Sequence, residues 1–204
     1  MRLLPYGEHA VLVEAGEHEQ PLALAGALSA AAAPGIAEIV PAARTVLVRF
    51  APGLEPPDIA TLLSHPAGSR GTLGLATSRA PVELPVRYTG ADLSQLAEEL
   101  GMSAPELVER HTDAEYTVAF CGFAPGFGYL TGLDRSLWAP RLAEPRATVP
   151  AGSVGIAGEY TGVYPRSSPG GWRLIGQTDA QLWDTHADPP ATLTPGRTVR
   201  FVST

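Results

Sequence analysis

The residues best suited to chemistry lie between Phe120 and Gln177, where a few polar side chains stand among glycine, proline and aromatic residues. A guanidinium group can grip a carboxylate or a phosphate with two parallel hydrogen bonds, which makes Arg166 and Arg173 candidates for anion binding. The candidate polar residues among the loops of this stretch are Ser153, Glu159, Tyr164, Arg166, Ser167, Arg173 and Gln177. It is poor in acids and bases, so the sequence assigns no catalytic residue.

Three dense clusters, residues 122–130, 149–158 and 161–172, carry most of the glycine and aromatic residues of this stretch. Glycine permits a positive φ and close approach of the backbone, while proline fixes φ, so together they build rigid loops. Such loops can aim backbone N–H groups and ring faces into a pocket, but a β-barrel needs similar turns for its own closure. The candidate ligand- or partner-binding residues are Phe123, Pro125, Gly126, Phe127, Tyr129, Pro150, Gly152, Ser153, Tyr164, Arg166, Ser167, Pro169, Gly170, Gly171, Trp172 and Gln177.

Several familiar chemistries are absent from the sequence. All fourteen basic residues are arginine, so Schiff-base chemistry and the lysine of a phosphate-binding loop are excluded. The stretch 126–131 lacks the last glycine of a dinucleotide fingerprint, and 152–155 lacks the spacing of a nucleophile elbow. No histidine pairs with a carboxylate at metal-ligand spacing, so no metal site is expected. Cys121, the single cysteine, is expected to be a small buried hydrophobe.

Composition and charge narrow the class of protein further. The formal net charge is −7 and the arginines are scattered, which argues against nucleic acid as a partner. Residues 1–9 meet proline, glycine and glutamate too early for a signal-peptide core. No apolar run reaches the roughly 18 residues that a membrane span needs. The expectation is a cytoplasmic protein that does not contact a membrane.

The first 79 residues predict a domain that combines helices and strands. Alternating or β-branched runs predict strands at 10–14, 36–40, 45–50 and 72–77, and helices are predicted at 22–28 and from Pro56-Pro57-Asp58 to Leu63. The order β-α-β-β-α-β predicts an α/β plait of two layers, with both helices on one face of the sheet.

Residues 80–204 predict a second domain in an α+β chain, with the boundary near Ser78 to Pro81. A strand at 81–88 precedes helices at 91–100 and 104–111, the second of which begins with a capping box at Ser103. After a strand at 115–123, short apolar segments alternate with glycine and proline, a pattern typical of a compact β-barrel.

The glycine-rich clusters also carry a family resemblance. The motifs are Gly122-Phe-Ala-Pro-Gly-Phe, Pro140-Arg141-Leu142, the run from Pro145 to Gly158, Thr161-Gly-Val-Tyr-Pro and Ser168-Pro-Gly-Gly-Trp. Together they resemble the B-subunit family of 5-oxoprolinase, which includes the subunit-1 part of allophanate hydrolase, regions of urea carboxylase, and the KipI-type sensor-kinase inhibitor. The sequence departs from the family at Ala124, Gly128 and Gln177, where the family usually has threonine, proline and often arginine.

The resemblance implies an N-terminal α/β domain followed by a cyclophilin-like β-barrel. It also implies one component of an ATP-dependent enzyme that opens the lactam of 5-oxo-L-proline to glutamate, with the C and A subunits of 5-oxoprolinase as partners. Because the stretch from Phe120 to Gln177 is poor in acids and bases, a partner chain is expected to complete the site. A KipI-like inhibitor of a sensor histidine kinase and a piece of allophanate hydrolase or urea carboxylase remain open as alternatives.

Overall fold

The computed structural model describes residues 1–16, 20–54, 57–64 and 80–204. The chain divides into two compact units, Met1–Arg79 and Ala80–Thr204. Residues 78–79 of the expected boundary and the strand predicted at 72–77 lie outside the described residues. Within the described part, no helix has both the length and the apolar character needed to cross a membrane.

The N-terminal unit is a four-stranded antiparallel sheet with two helices. Its elements are β1 (Arg2–Pro5), β2 (Ala10–Glu14), α1 (Pro21–Ala31), β3 (Ile36–Pro41), β4 (Thr45–Phe50) and α2 (Ile59–Ser64). The strand order is β1-β2-β4-β3. Proline stands at the start of α1, where the backbone N–H has no partner within the helix, and Ala32 ends the helix in a left-handed conformation with φ 44°.

Both helices cover the same face of this sheet. Val13 of β2 pairs with Val46 of β4, and both side chains are fully buried together with Leu28 of α1 and Ile59 of α2. The alternation of buried and exposed residues along β4 follows the pleat, which turns every second side chain toward the helices. The predicted layering and the predicted strands at 10–14 and 45–50 are therefore confirmed for this unit.

The predicted order of elements was wrong at the beginning of the chain. The described residues follow the order β-β-α-β-β-α, because β1 is a strand that the prediction missed. It pairs antiparallel with β2, from Arg2 opposite Glu14 to Pro5 opposite Val11. In the predicted plait, the last strand would have bordered β2 at this edge. The helix predicted from Pro56 starts later, at Ile59, where the Asp58 carboxylate accepts a hydrogen bond from the Thr61 N–H.

The C-terminal unit is built around a larger sheet. Its elements are β5 (Val82–Val86), α3 (Leu93–Glu99), α4 (Ala104–Asp113), β6 (Tyr116–Cys121), β7 (Gly128–Thr131), a 3₁₀ helix (Arg135–Leu137), β8 (Arg146–Val149), β9 (Ser153–Ala157), β10 (Tyr160–Val163), β11 (Ser168–Gly170), β12 (Arg173–Gln177) and β13 (Thr198–Ser203). The Ser103 half of the predicted capping box is present, since Ser103 Oγ accepts from the Glu106 N–H at 3.3 Å, whereas the Glu106 carboxylate accepts from Arg110. The β13–β5 pair is parallel, and the other strand pairs of this sheet are antiparallel.

The seven-stranded sheet is nearly closed into a barrel. Its strand order is β12-β9-β10-β7-β6-β13-β5, and the two edge strands meet through Arg87 and Gln177. These two residues exchange both backbone hydrogen bonds, each at 2.9 Å. Closure removes the exposed edges that an open sheet would present to other chains. The barrel expected from the glycine and proline spacing is therefore present in coarse form, as a nearly closed sheet with few helices.

Candidate functional site

Aromatic side chains from β7 and from three loops form one cluster in the C-terminal unit. Phe127, Tyr164 and Trp172 are buried, and their rings meet edge to face, with Phe127 5.3 Å from each of the other two centroids. Tyr129 joins them at 5.1 Å from Phe127. Edge-to-face geometry places the positive rim of one ring against the negative face of the next, so the cluster is rigid as well as apolar.

The loop between β6 and β7 holds Phe123 above this cluster. Phe123 has φ 67°, a conformation that is unfavourable for a bulky residue, and its side chain is 58% exposed. Hydrogen bonds from the Gly122 N–H to the Phe127 carbonyl and from the Phe127 N–H to the Ala124 carbonyl tie the loop together. A large apolar ring held at a strained position on the surface is a common mark of a binding site.

A small cavity opens where these rings meet the loops after β7 and β11. Its volume is about 70 Å³. Its walls are Phe123, Phe127, Tyr129, Arg141, Tyr164, Gly170, Gly171 and Trp172. Arg141 is the charged side chain of this wall, and Tyr164 and Tyr129 supply its hydroxyl groups. The cavity therefore offers an apolar floor, one cation and hydrogen-bonding phenols.

Tyr164 is held in its neutral form. Burial raises the pKa of its phenol, while a hydrogen bond from the Trp172 backbone N–H and the charges of Arg141 and Arg146 act in the opposite direction. The net direction is upward, so the phenol keeps its proton at neutral pH. A neutral phenol beside a guanidinium group can donate a hydrogen bond to a carbonyl or carboxylate oxygen of a ligand.

Two contacts fix the segment that carries Arg141. The Leu142 N–H donates to the Gly171 carbonyl at 2.7 Å, next to Arg141 itself. Further along, Arg146 donates to the Asp92 carboxylate at 2.6 Å, and the other oxygen of that carboxylate accepts from the Leu174 N–H at 2.6 Å. Because Asp92 is 4% exposed, this is a buried anchor between α3, β8 and β12. The backbone at Arg141 is thereby held against the cavity wall.

The structure brings some of the predicted binding residues together at the cavity and places the others elsewhere in the unit. Those that line the cavity are Phe123, Phe127, Tyr129, Tyr164, Gly170, Gly171 and Trp172. Those placed elsewhere are Pro125, Gly126, Pro150, Gly152, Ser153, Arg166, Ser167, Pro169 and Gln177. Arg166, Ser167 and Pro169 are exposed, in and around the β10–β11 turn. Gly126 is buried, and a Cβ added at this residue would lie only 3.0 Å from the Leu182 carbonyl oxygen.

The second glycine cluster belongs to the closure of the barrel. Gly152 has φ 78°, and a Cβ there would collide with the Thr178 carbonyl oxygen. The Thr178 N–H donates to the Gly152 carbonyl at 2.8 Å, and Ser153 pairs with Gln177 in the β9–β12 register. These residues lie next to the bridge between Arg87 and Gln177 that closes the barrel. Their predicted role as ligand contacts stays a prediction.

Arg173 has a structural environment that the anion-binding interpretation did not anticipate. Its side chain is 7% exposed, and its Nη2 atom lies 2.8 Å from an Oε atom of Glu99. The guanidinium group lowers the pKa of Glu99, first through hydrogen bonding. This ion pair connects α3 to β12, so Arg173 stabilises the packing of the helix on the barrel.

Sequence reasoning missed Arg141 as a candidate. The signal was present, because Arg141 lies in the Pro140-Arg141-Leu142 motif that contributed to the family resemblance. What the sequence does not show is that the segment after the 3₁₀ helix folds back against Gly171. The hydrogen bond from Leu142 to Gly171 is what brings this cation to the aromatic cluster.

Cys121 packs against the barrel core as the sequence predicts, but it is partly buried and not fully buried. Burial raises the pKa of its thiol to about 11, and its Sγ lies 3.3 Å from the Leu193 carbonyl oxygen. A thiol with this pKa is a poor nucleophile at neutral pH. Among the described residues, no three His, Cys, Asp or Glu side chains are grouped so that they could hold a metal ion.

Comparison with known proteins places the chain in a family. Residues 1–193 match the family described as carboxyltransferase domain, subdomain C and D. The match covers most of the chain, and the chain belongs to this family.

Within this setting, the chain is similar to proteins named as the B subunit of 5-oxoprolinase. It is 53% identical over 124 residues to the one from Escherichia coli O157:H7, a match that covers 59% of this chain and 57% of that protein. It is 48% identical over 128 residues to the one from Bacillus subtilis strain 168, covering 61% and 53% respectively. The matches thus span a little more than half the length of these relatives.

Solved structures agree with this assignment of the fold. The crystal structure of TTHA0988 is 36% identical, with a TM-score of 0.79, over 96% of this chain and 40% of that one. The urea amidolyase of K. lactis is 20% identical, with a TM-score of 0.71, over 99% of this chain and 15% of that one. At that identity, the second comparison shows a shared fold.

Proposed function

We propose that this chain is the B subunit of an ATP-dependent 5-oxoprolinase, which converts 5-oxo-L-proline to L-glutamate as ATP is hydrolysed. The similarity to proteins with that name supports this activity. In this proposal the chain is an N-terminal plait domain followed by a cyclophilin-like barrel, and it works with the C and A subunits of the enzyme in the cytoplasm. The reaction class is the hydrolysis of a cyclic amide.

The observation that carries the proposal is the composition of the cavity wall. Among the described residues, the wall offers rings, a guanidinium group and phenols, but no carboxylate, imidazole or thiol. Such a wall can hold and orient a small amide, yet it supplies no general base to activate water. This one-sided chemistry suits a chain that contributes binding while another chain contributes the acid or base.

ATP is proposed as a substrate of the complex. A five-membered lactam is a poor electrophile, and phosphorylation of its carbonyl oxygen would provide a leaving group and open the carbon to attack by water. That step needs donors or cations around the phosphates. The aromatic cavity, at about 70 Å³, is far smaller than the roughly 300–1,000 Å³ typical of sites for drug-sized ligands. We therefore propose that the nucleotide binds outside this cavity.

The test is reconstitution with one component omitted at a time. Purified B, C and A subunits are incubated with 5-oxo-L-proline and ATP, and glutamate and ADP are measured. We expect glutamate formation with all three subunits and none when this chain is left out. Glutamate formation at an unchanged rate without this chain would contradict the proposal.

A further inference from the structure

The cavity between Phe123 and Arg141 has a chemistry that defines its ligand more narrowly than the family does. We infer that it is the site of substrate carboxylate recognition: the apolar rings hold a small flat amide, and Arg141 binds the carboxylate that the amide carries. The inference rests on the proposed function for the identity of the substrate. It makes Arg141 a specificity-determining residue.

The size of the cavity limits what can enter. A volume of about 70 Å³ corresponds to the share of roughly two water molecules at about 30 Å³ each. A single small ring or one carboxylate group occupies such a space, and the rest of the ligand lies outside it. The cavity wall is mostly aromatic, and aromatic rings pack well against a planar group such as an amide or lactam.

Charge complementarity points to an anion. The whole chain carries a formal net charge of −7, which disfavours the approach of a carboxylate. At the cavity wall the sign is reversed, because Arg141 lines it and both Arg141 and Arg146 act on the Tyr164 phenol. Arg146 already has the Asp92 carboxylate at 2.6 Å, so Arg141 is the guanidinium available to a ligand.

The polar groups of the wall are also of the kind that binds a carboxylate. Arginine presents its donors as a planar fork, which carboxylates accept with two parallel hydrogen bonds. Arg141 is exposed, and the neutral Tyr164 phenol forms part of the same wall. A ligand that carries both an amide and a carboxylate can therefore meet the rings on one side and the guanidinium group on the other.

The experiment compares two lactams that differ in one group. 5-Oxo-L-proline carries the carboxylate, and 2-pyrrolidinone is the same ring without it. In the reconstituted complex we expect Arg141→Gln to raise KM for 5-oxo-L-proline about tenfold or more, the usual effect of removing a hydrogen bond to a charged group, with a smaller change in kcat. Turnover of 2-pyrrolidinone should be unchanged, so the preference for the carboxylated lactam collapses.

Arg135→Gln is the matched control for this substitution. Arg135 is another exposed arginine of the same unit, and its guanidinium carbon lies 5.5 Å from the centre of the Trp138 ring, outside the cavity wall. The control should leave both KM values within twofold of the wild type. A KM for 5-oxo-L-proline within twofold of the wild type in Arg141→Gln would overturn the inference.

A second variant tests the cavity independently of charge. In Gly170→Ala the new Cβ would press against the Tyr164 phenol oxygen, whereas in Gly158→Ala, outside the cavity wall, no heavy atom lies within 4 Å of the new Cβ. We expect Gly170→Ala to weaken binding of both lactams about tenfold or more and Gly158→Ala to have little effect on binding. Thermal unfolding of both variants verifies that they fold; equal binding by folded Gly170→Ala and Gly158→Ala would contradict the site.

Direct binding separates this inference from the proposed function. If the wild-type complex forms no glutamate, the proposed function fails, and ligand-observed NMR on the full chain decides the site. Binding of 5-oxo-L-proline that is tighter than that of 2-pyrrolidinone, and is lost in Arg141→Gln, would then support carboxylate recognition. No preference between the two lactams would overturn it.

Discussion

Two regions of the C-terminal unit are rich in aromatic rings, but one is a filled part of the core and the other borders an open cavity. The His111 network, formed by Tyr88, His111 and Thr161, lies in the barrel core and every polar side-chain group in it has a partner. The Tyr164 cavity, formed by the eight residues of its wall, is ringed by similar side chains but leaves an open space beside a cation. The difference teaches that aromatic density alone does not separate core from site.

The His111 network fixes its own protons. Thr161 donates its hydroxyl to the Gly155 carbonyl at 3.0 Å, so it accepts from the Nε2–H of His111 at 2.9 Å. The Nδ1 atom of the same ring therefore accepts from the Tyr88 hydroxyl at 2.8 Å. With the Phe201 ring 4.6 Å away, His111 is surrounded and fully buried. Burial lowers its pKa to about 3, so the ring is neutral and structural.

The largest loss of stability is expected at Gly152, a predicted site residue that, like the His111 network, belongs to the barrel itself. In Gly152→Ala the new Cβ collides with the Thr178 carbonyl, and the residue must also adopt φ 78°. We expect the free energy of unfolding to fall by about 3 kcal/mol through the combined effect of backbone strain and the clash. Urea denaturation measures this change.

Gly158→Ala is the control for that substitution. Gly158 also has a positive φ, 59°, but no heavy atom lies within 4 Å of its added Cβ. The free energy of unfolding of Gly158→Ala should fall by only about 1 kcal/mol, because the left-handed conformation is its only source of strain. Equal losses in the two variants would show that Gly152 has no special contact with the framework.

The pH dependence of stability tests the His111 side of the comparison. The folded-state pKa, about 3, lies below the unfolded value of 6.5, so the unfolded chain takes up a proton first as the pH falls. Stability from this group is present above pH 6.5 and is lost as the pH falls from 6.5 toward 3. Between about pH 7.5 and pH 5 the wild type should lose about 2 kcal/mol through this residue.

His111→Gln removes this titration while leaving a polar side chain. Urea unfolding of both proteins at the two pH values isolates the contribution, because the other titrating groups are common to both. The variant should be less stable at the higher pH and should lose less on acidification. Parallel losses in the two proteins would mean that His111 titrates normally and is open to water.

The smallest effect on stability is expected at Phe123, on the cavity side. Glycine adopts φ 67° without strain, and Phe123 is largely exposed, so Phe123→Gly should change the free energy of unfolding by no more than about 1 kcal/mol. Phe123→Ala keeps the strain and should be the less stable of the two variants. Both should bind 5-oxo-L-proline several-fold more weakly, since a wall of the cavity is lost.

Thermal unfolding and ligand titration of the same samples measure the two properties together. A loss of stability without a loss of binding in Phe123→Gly would place Phe123 with the framework and remove the contrast between the two regions. The opposite result, weaker binding at unchanged stability, is the signature of a residue that serves the ligand.

Local patterns in the sequence predicted the elements well where the pattern is itself the cause. The alternation of Val46, Val48 and Phe50 marks β4 because a strand turns every second side chain to the same face. The Ser103 N-cap begins α4 because its hydroxyl satisfies a free N–H of the first turn. β1 was missed, since its burial pattern is mostly exposed and its existence depends on pairing with β2.

The sequence by itself determined the family resemblance, the strands and helices with strong local signals, the apolar surroundings of Cys121 and the rigid character of the glycine-rich loops. Only the tertiary structure decided which loops meet. It separated Gly152 and Gln177, which close the barrel, from Phe123 and Trp172, which line a cavity. The physical reason is that the barrel's closure and the Leu142–Gly171 hydrogen bond join segments far apart in the chain, and no local pattern encodes such contacts.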